Sequence, residues 1–263
     1  MSIRSILLML LSSVALSTTA MAADNTALSP AQEKQVEQIV HDYLLNNPDI
    51  LIQVSQKLQQ KQEQQVQQIQ QQAQKVMPQI ASQLFADPQS PISGNVKGDV
   101  TVIEFFDYQC PHCKDMSPVL DNLVQQDGHI KIIYKEFPIF GADSQFAAAA
   151  ALASAKQGKY DVFHHALMAT PDPLNSEVVL DVAGKTGLDV TRLKTDMMSS
   201  DVKQELSDTM KVAQKLQLMG TPAFVVANTG DTNQSVLIPG TTSAEVLQTL
   251  VGQARENKLA QSK

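Results

Sequence analysis

Cysteine is nearly absent: 263 residues contain two, Cys110 and Cys113. That scarcity excludes a fold stapled by several disulfides, since these two sulfurs can form an intramolecular bond only with each other. Basic charge is also short, 20 Lys and Arg against 27 Asp and Glu for a formal charge of -7. An acidic surface of this kind repels a polyphosphate, so no nucleic-acid partner is expected. Long hydrophobic runs are missing too. The run from Ile6 to Leu16 is too short and too interrupted by serine for a membrane span. It follows Arg4 and precedes Ala20-Met21-Ala22, which supplies small residues at the two positions a signal peptidase reads. Residues 1–22 are therefore expected to be a signal peptide cleaved near Ala22. No cysteine follows that could carry a lipid anchor. The mature chain, with 19 basic against 27 acidic residues once Arg4 is lost, is expected in the periplasm, where disulfides persist.

What is present is concentrated in Glu104-Phe105-Phe106-Asp107-Tyr108-Gln109-Cys110-Pro111-His112-Cys113. The stretch from Asp99 to Phe106 is β-branched and aromatic and reads as a buried strand. From Lys114 to Gln125 the apolar residues Met116, Val119, Leu120 and Leu123 keep a helical spacing. The C-x-x-C thus falls at a strand-to-helix turn, where unpaired backbone N–H groups and the helix macrodipole face the first sulfur. Pro111 begins the helix at a position that has no donor to lose, and a protonated His112 adds positive charge. Cys110 is expected to ionise somewhere in the range of about 3.5 to 7.5 found for such motifs. Cys113, one turn further in, is expected to be the resolving thiol. Half of a zinc site is the first alternative for the pair, but the five histidines offer no well-spaced second pair beyond the adjacent His164-His165. An inert structural disulfide is the second, and a loop so short constrains the unfolded chain little. No metal and no cofactor are expected.

The chain changes character near residue 92. Ser29-Pro30 and Asn47-Pro48-Asp49 each read as a helix start. Val36, Ile39, Val40, Tyr43 and Leu44 form one apolar stripe. The second helix is rich in glutamine from Gln53 to Gln83, yet Val66, Ile69, Ala73, Val76 and Ile80 keep spacings of three and four, the seam of a helix that packs on another. Pro78 is expected to bend or restart it. Such stripes cannot bury a core alone, so residues 23–92 read as a helical oligomerisation element, with a homodimer expected and a homotrimer as the alternative. Asp87-Pro88-Gln89-Ser90-Pro91 reads as a linker and Gly94-Asn95 as a turn. Ile130 to Phe137 is a second strand, joined to the first by a right-handed parallel crossover. Asp143 to Leu218 is helical almost throughout, with breaks at Pro171, Pro173 and Gly187. Ala223 to Ala227 and Val236 to Ile238 read as a closing strand pair, and Ala244 to Asn257 as the last helix.

Val102-Ile103-Glu104-Phe105-Phe106, the Cys110-Pro111-His112-Cys113 tetrad and the distant Gly220-Thr221-Pro222 together resemble the DsbA-like thioredoxin-fold disulfide oxidoreductases. The N-terminal helices and Asp107-Tyr108 are most similar to the branch of that family containing the suppressor-of-copper-sensitivity protein ScsC. The resemblance implies an α/β thioredoxin fold over residues 93–263, with a helical insertion at about 141–218. It implies a protein disulfide oxidoreductase that introduces or rearranges disulfides, acting as both oxidase and isomerase. Its partners would be unfolded or misoxidised exported proteins and a membrane redox protein, either a quinone-linked oxidase or a thiol reductase. Thr221-Pro222 would be the cis-proline loop on which an extended client pairs. Threonine departs here from the valine of the dedicated oxidase and matches dimeric isomerases.

Glu104 is the one charge in an apolar run. Burial would raise its pKa and suit it to pass a proton to or from Cys113. The alternative is a carboxylate paired with Lys131 or Lys135 on the neighbouring strand. Two further functions stay open: a copper(I) carrier using both thiolates, and an oligomeric chaperone. His164-His165 and the ten methionines invite the first, but most of those methionines fall on apolar helical positions and read as core.

Overall fold

A computed structural model describes residues 28–171 and 173–259, so the expected signal peptide lies outside the described residues. Two compact units divide between Leu58 and Gln59.

In the first unit, helix α1 (Pro30–Asn46) opens as its sequence predicts. Ser29 and Gln32 form a capping box, with Pro30 at the first helical position. No residue of α1 is buried. Its stripe faces solvent, with Val36 45%, Ile39 59% and Tyr43 57% exposed. The first turns of α2 (Asp49–Phe85) likewise expose Leu51, Ile52, Val54 and Leu58.

The second unit is built on a five-stranded sheet of order β1-β3-β2-β4-β5. Strand β2 (Val100–Phe106) is buried along its whole length, as its unbroken apolar composition requires. It runs parallel to β3 (Ile130–Glu136) and antiparallel to β4 (Ala223–Asn228), which pairs with β5 (Ser235–Pro239). The β2–β3 crossover is α3 (Pro111–Asp127), which ends at Gly128 in the left-handed region, φ 73°. Strand β1 (Ile92–Gly94) adds to β3 antiparallel at the edge, where the sequence reading has only a turn. Five helices, α4 (Ala142–Ala155), α5 (Tyr160–Met168), α6 (Ser176–Lys185), α7 (Val190–Asp196) and α8 (Ser200–Lys215), form the block between β3 and β4, and α9 (Ala244–Arg255) follows β5.

Because side chains alternate across a strand, β2 divides its residues between two cores. Val100, Val102 and Phe106 pack with α3, α9 and the helical block. Ile103 and Phe105 pack on the opposite side with Val212 and Ala213 of α8, with Leu216 just past its end, and with Ala73, Met77, Ile80 and Leu84 of α2. The second half of α2 therefore belongs by packing to the larger unit. The division expected near residue 92 lies inside that unit. The helix also runs on through Pro78 without a restart. Met77 and Ile80, on either side of the proline, are 3% and 0% exposed in one core, and that burial holds both turns in register against the lost hydrogen bond.

The end of α2 is pinned by a buried polar cluster. Lys135 Nζ on β3 donates to Asp87 Oδ2 at 3.1 Å, to Ser90 Oγ at 2.5 Å and to Glu205 Oε1 of α8 at 3.4 Å. Lys135 and Glu205 are nearly inaccessible, so each charge depends on the other.

Candidate active site

Cys110 is the N-cap of α3 and Pro111 its first residue. The turn from β2 closes through Cys110 N–H to Asp107 O at 3.0 Å, and the first helical turn through Cys113 N–H to Cys110 O at 3.1 Å. Both cysteines are free and buried. The Cys110 thiol donates to the backbone oxygen of Thr221 at 3.3 Å, so Thr221 and Pro222 meet the tetrad across 111 residues of chain. The Thr221–Pro222 peptide is cis.

The two sulfurs differ in acidity. Cys110 is lowered to about 6, chiefly because the Cys113 thiol donates a hydrogen bond to its thiolate. The Thr221 side chain and the backbone N–H groups of Cys113 and His112 add to this, against the opposing effect of burial. The Thr221 hydroxyl has no partner while Cys110 is a thiol, so it is free to donate when the sulfur ionises. Cys113 is pushed up, first because its proton is held by Cys110 and then by burial. His112 lies on the exposed side, its ring Nδ1 3.9 Å from Asp115 and its side chain 70% exposed. Its contribution at close range is its backbone N–H.

Glu104 is 1% exposed and its Oε1 has no hydrogen-bond partner. Desolvation, then the charges of Asp121 and Cys110, raise its pKa from 4.5 to about 8. By strand alternation it lies on the face of the sheet that carries α3. Lys135 lies on the other face with Asp87 and Glu205, and no ion pair to Glu104 occurs among the described residues, so the lysine-paired alternative is not formed.

Sequence reasoning passed over the residues that hold this turn. Asp107 Oδ2 accepts from the N–H groups of Ile139 and Phe140 at 2.7 and 3.1 Å, and its Oδ1 from Gln109 N–H. Tyr108 OH donates to Glu136 Oε1 at 3.0 Å and meets His164 Nδ1 at 2.9 Å. Tyr160 OH donates to the same Glu136 oxygen at 2.8 Å. Gln109 bonds the backbone of Leu174 through its amide nitrogen at 2.9 Å. Three consecutive side chains thus fasten the nucleophile's turn to β3, the loop after it and the helical block. Glu136 follows Lys131 and Lys135 in the same strand, so its charge does not stand out in the sequence as that of Glu104 does. His164 and His165 separate: His164 is buried among Phe106, Tyr134 and Tyr160, while His165 Nε2 pairs with Asp121 Oδ1 at 2.8 Å.

Residues 101–252 match the model of the DSBA-like thioredoxin domain, and residues 32–65 that of the copper resistance protein ScsC N-terminal domain. The chain is 29% identical over 185 residues to the thiol:disulfide interchange protein DsbA of Burkholderia cepacia, covering 67% of this chain and 85% of that one. It also matches the Na(+)/H(+) antiporter NhaA 3 of Salinispora tropica at 28% identity, but spans only 22% of it. Among solved structures, a thioredoxin-like oxidoreductase from Silicibacter pomeroyi is similar with TM-score 0.63 and 43% identity, over 66% of this chain and 97% of that one. Proteus mirabilis ScsC in a transitional conformation is similar with TM-score 0.61 and 29% identity, over 90% and 100%.

Proposed function

The chain belongs to the DSBA-like thioredoxin domain family of thiol:disulfide oxidoreductases, and from that premise we propose that it oxidises and rearranges disulfides in exported proteins of the periplasm. The observation that carries this is the opposed acidity of the two thiols, Cys110 lowered to about 6 and Cys113 pushed up. Attack on Cys110 makes Cys113 the leaving sulfur, which must be protonated to depart, and Cys110 is then the good leaving sulfur of the mixed disulfide.

In the oxidase direction a client thiolate attacks Cys110 Sγ, the Cys110–Cys113 bond breaks, and Cys113 departs and takes a proton from Glu104. A second client thiolate then attacks the client sulfur of the mixed disulfide and releases Cys110 as thiolate. Two electrons pass from client to protein, and a quinone-linked membrane oxidase removes them. In the isomerase direction the reduced Cys110 thiolate attacks a client disulfide directly, and a membrane thiol reductase keeps it reduced. Pro222 and Thr221 receive the extended client beside Cys110, and His112 supports the thiolate from the first turn of α3.

The apolar face of α1, which buries nothing, supports self-association, as a homodimer or, alternatively, a homotrimer. Paired sites shielded by assembly favour rearrangement over simple oxidation. The copper reading draws no support from residues 32–65, which contain neither cysteine nor methionine.

The test compares the full mature chain with one beginning at Gln59, where the compact units divide. A cut near Ile92 would strip Ala73, Met77, Ile80 and Leu84 from the core. Both are sized by light scattering and assayed on scrambled ribonuclease. The full chain is expected to be oligomeric and to unscramble the substrate, the shortened chain to be monomeric and only to oxidise thiols. Two monomeric oxidases without isomerase activity would sink the assembly part of the proposal.

A further inference from the structure

The glutamine-rich half of α2 has no part in the chemistry above, yet it forms one wall of a groove. The groove has a volume of about 450 Å³. Gln65, Gln68 and Ile69 of α2 face Gln214, Gln217 and Met219 at and beyond the end of α8. Every residue lining it is uncharged, in a chain in which 18% of residues are charged. Met219 is 83% exposed and lies two residues before Thr221, whose carbonyl accepts from Cys110 at 3.3 Å. The groove is thus continuous along the chain with the loop that touches the nucleophile.

Gln217 supplies an independent observation. Helix α8 ends with Leu218 N–H bonded to Ala213 O and Gln217 N–H to Gln214 O, the termination whose left-handed residue is ordinarily glycine. Here that residue is Gln217 at φ 55°. Glycine would relax the backbone, so a side chain held in this conformation signals a use for the side chain. The use is in the groove, which four glutamines line together with Ile69.

We propose that the Gln65–Gln68–Gln214–Gln217 groove is a client subsite that holds the backbone of an extended, unfolded polypeptide on the Met219 side of the reacting cysteine. A carboxamide both donates and accepts, matching the alternating N–H and C=O groups of an extended chain. An uncharged lining neither selects nor rejects client charge, which suits an enzyme with many clients. Ile69 and Met219 accept an apolar client side chain. The inference rests on the reading that Cys110 exchanges with protein thiols.

The test uses the full mature chain in its disulfide form, with two substrates: an unstructured 20-residue peptide carrying two cysteines, and dithiothreitol. Gln217→Gly and the double variant Gln65→Ala/Gln68→Ala are compared with the unaltered chain. Losing one or two hydrogen bonds to the client predicts a fall of about five- to tenfold in the rate constant with the peptide. Dithiothreitol, too small to reach the groove, is expected to react at the original rate. Gln217→Gly is also expected to unfold at the same or a higher temperature, which separates a lost contact from a damaged fold. Peptide rates within twofold of the original in both variants overturn the subsite. So does a change of oligomeric state in Gln217→Gly, since the groove then belongs to a subunit contact. An unaltered chain that oxidises dithiothreitol but no peptide overturns the reading on which the subsite rests, and the subsite with it.

Discussion

Replacing Glu104 with glutamine should change the stability of the reduced protein in a way that grows more favourable as pH rises. The carboxyl is fully buried and its pKa rises from 4.5 unfolded to about 8 folded. Between those values the folded state holds a proton that the unfolded state has released, so unfolding releases a proton and stability falls as pH rises. Each factor of ten in the acid constant is worth about 1.4 kcal/mol. The loss is then zero near pH 4, about 3 kcal/mol at pH 7 and about 5 kcal/mol above pH 8, a large share of the 5–15 kcal/mol that holds a typical domain together. Glutamine has the same shape and no ionisation, so Glu104→Gln escapes this loss. It carries its own penalty of about 1–3 kcal/mol for a buried amide without a partner, but that penalty does not vary with pH. Urea unfolding of both reduced proteins at pH 4, 7 and 9 gives the difference directly. The variant is expected to be the weaker at pH 4 and to gain about 5 kcal/mol relative to the parent by pH 9. Repeating the series with Cys110→Ser in both chains should flatten the slope, because the Cys110 charge is one cause of the shift. A difference that stays constant across pH in the parent background would refute the argument, since Glu104 would then ionise as it does in the unfolded chain.

Two shorter predictions concern the nucleophile and its turn. Thr221→Val removes a hydroxyl that lowers Cys110, so thiolate absorbance at 240 nm, midpoint about 6 in the parent, should titrate at higher pH, and an unchanged midpoint would remove Thr221 from the site. Asp107→Ala frees the N–H groups of Gln109, Ile139 and Phe140 and should lower stability by about 2–4 kcal/mol in urea unfolding; a change below about 0.5 kcal/mol, the usual size of a surface substitution, would mean that the carboxylate does not hold the turn.

The parts that local pattern controls were legible. An unbroken apolar run becomes the central strand β2, and the spacing after the tetrad becomes α3. Glu104 stood out because charge is costly in such a run. The partners were not legible, because periodicity shows which face of an element is buried and not what buries it. Lys135 finds Asp87 and Glu205 across 48 and 70 residues, and Tyr108 finds His164 across 56. The role of α2 was half legible for the same reason. Its seam of Ile69, Ala73, Val76 and Ile80 was visible, but the surface it packs on is the sheet of its own larger unit and not only another helix. Strand β1 is three residues long, too short to show an alternation.

Two buried carboxyls lie on the same side of the sheet, Glu104 on β2 and Glu136 on β3, and their partners separate their roles. Both are desolvated and both have raised pKa values. Glu136 Oε1 takes hydrogen bonds from two phenols, Tyr108 and Tyr160, themselves buried and hard to ionise. Moving its proton would disturb a network that fastens the nucleophile's turn, so it suits a structural part. Glu104 Oε1 has no partner, and the charge on Cys110 is one of the causes that raise its pKa. When the disulfide is reduced and Cys110 becomes a thiolate, Glu104 is driven to take up a proton. When Cys110 is tied in a disulfide, that charge is gone and Glu104 releases the proton more readily. Its affinity for a proton therefore follows the redox state of the pair, and in the proposed proton step Glu104 gives its proton to the departing Cys113 while Cys110 is still tied in a disulfide and uncharged, then regains one from solvent once Cys110 is released as a thiolate. Burial alone would have suggested either carboxyl for this part, and each has one buried oxygen without a partner; it is the influence of the Cys110 charge on Glu104, set against the two phenols that Glu136 holds, that favours Glu104.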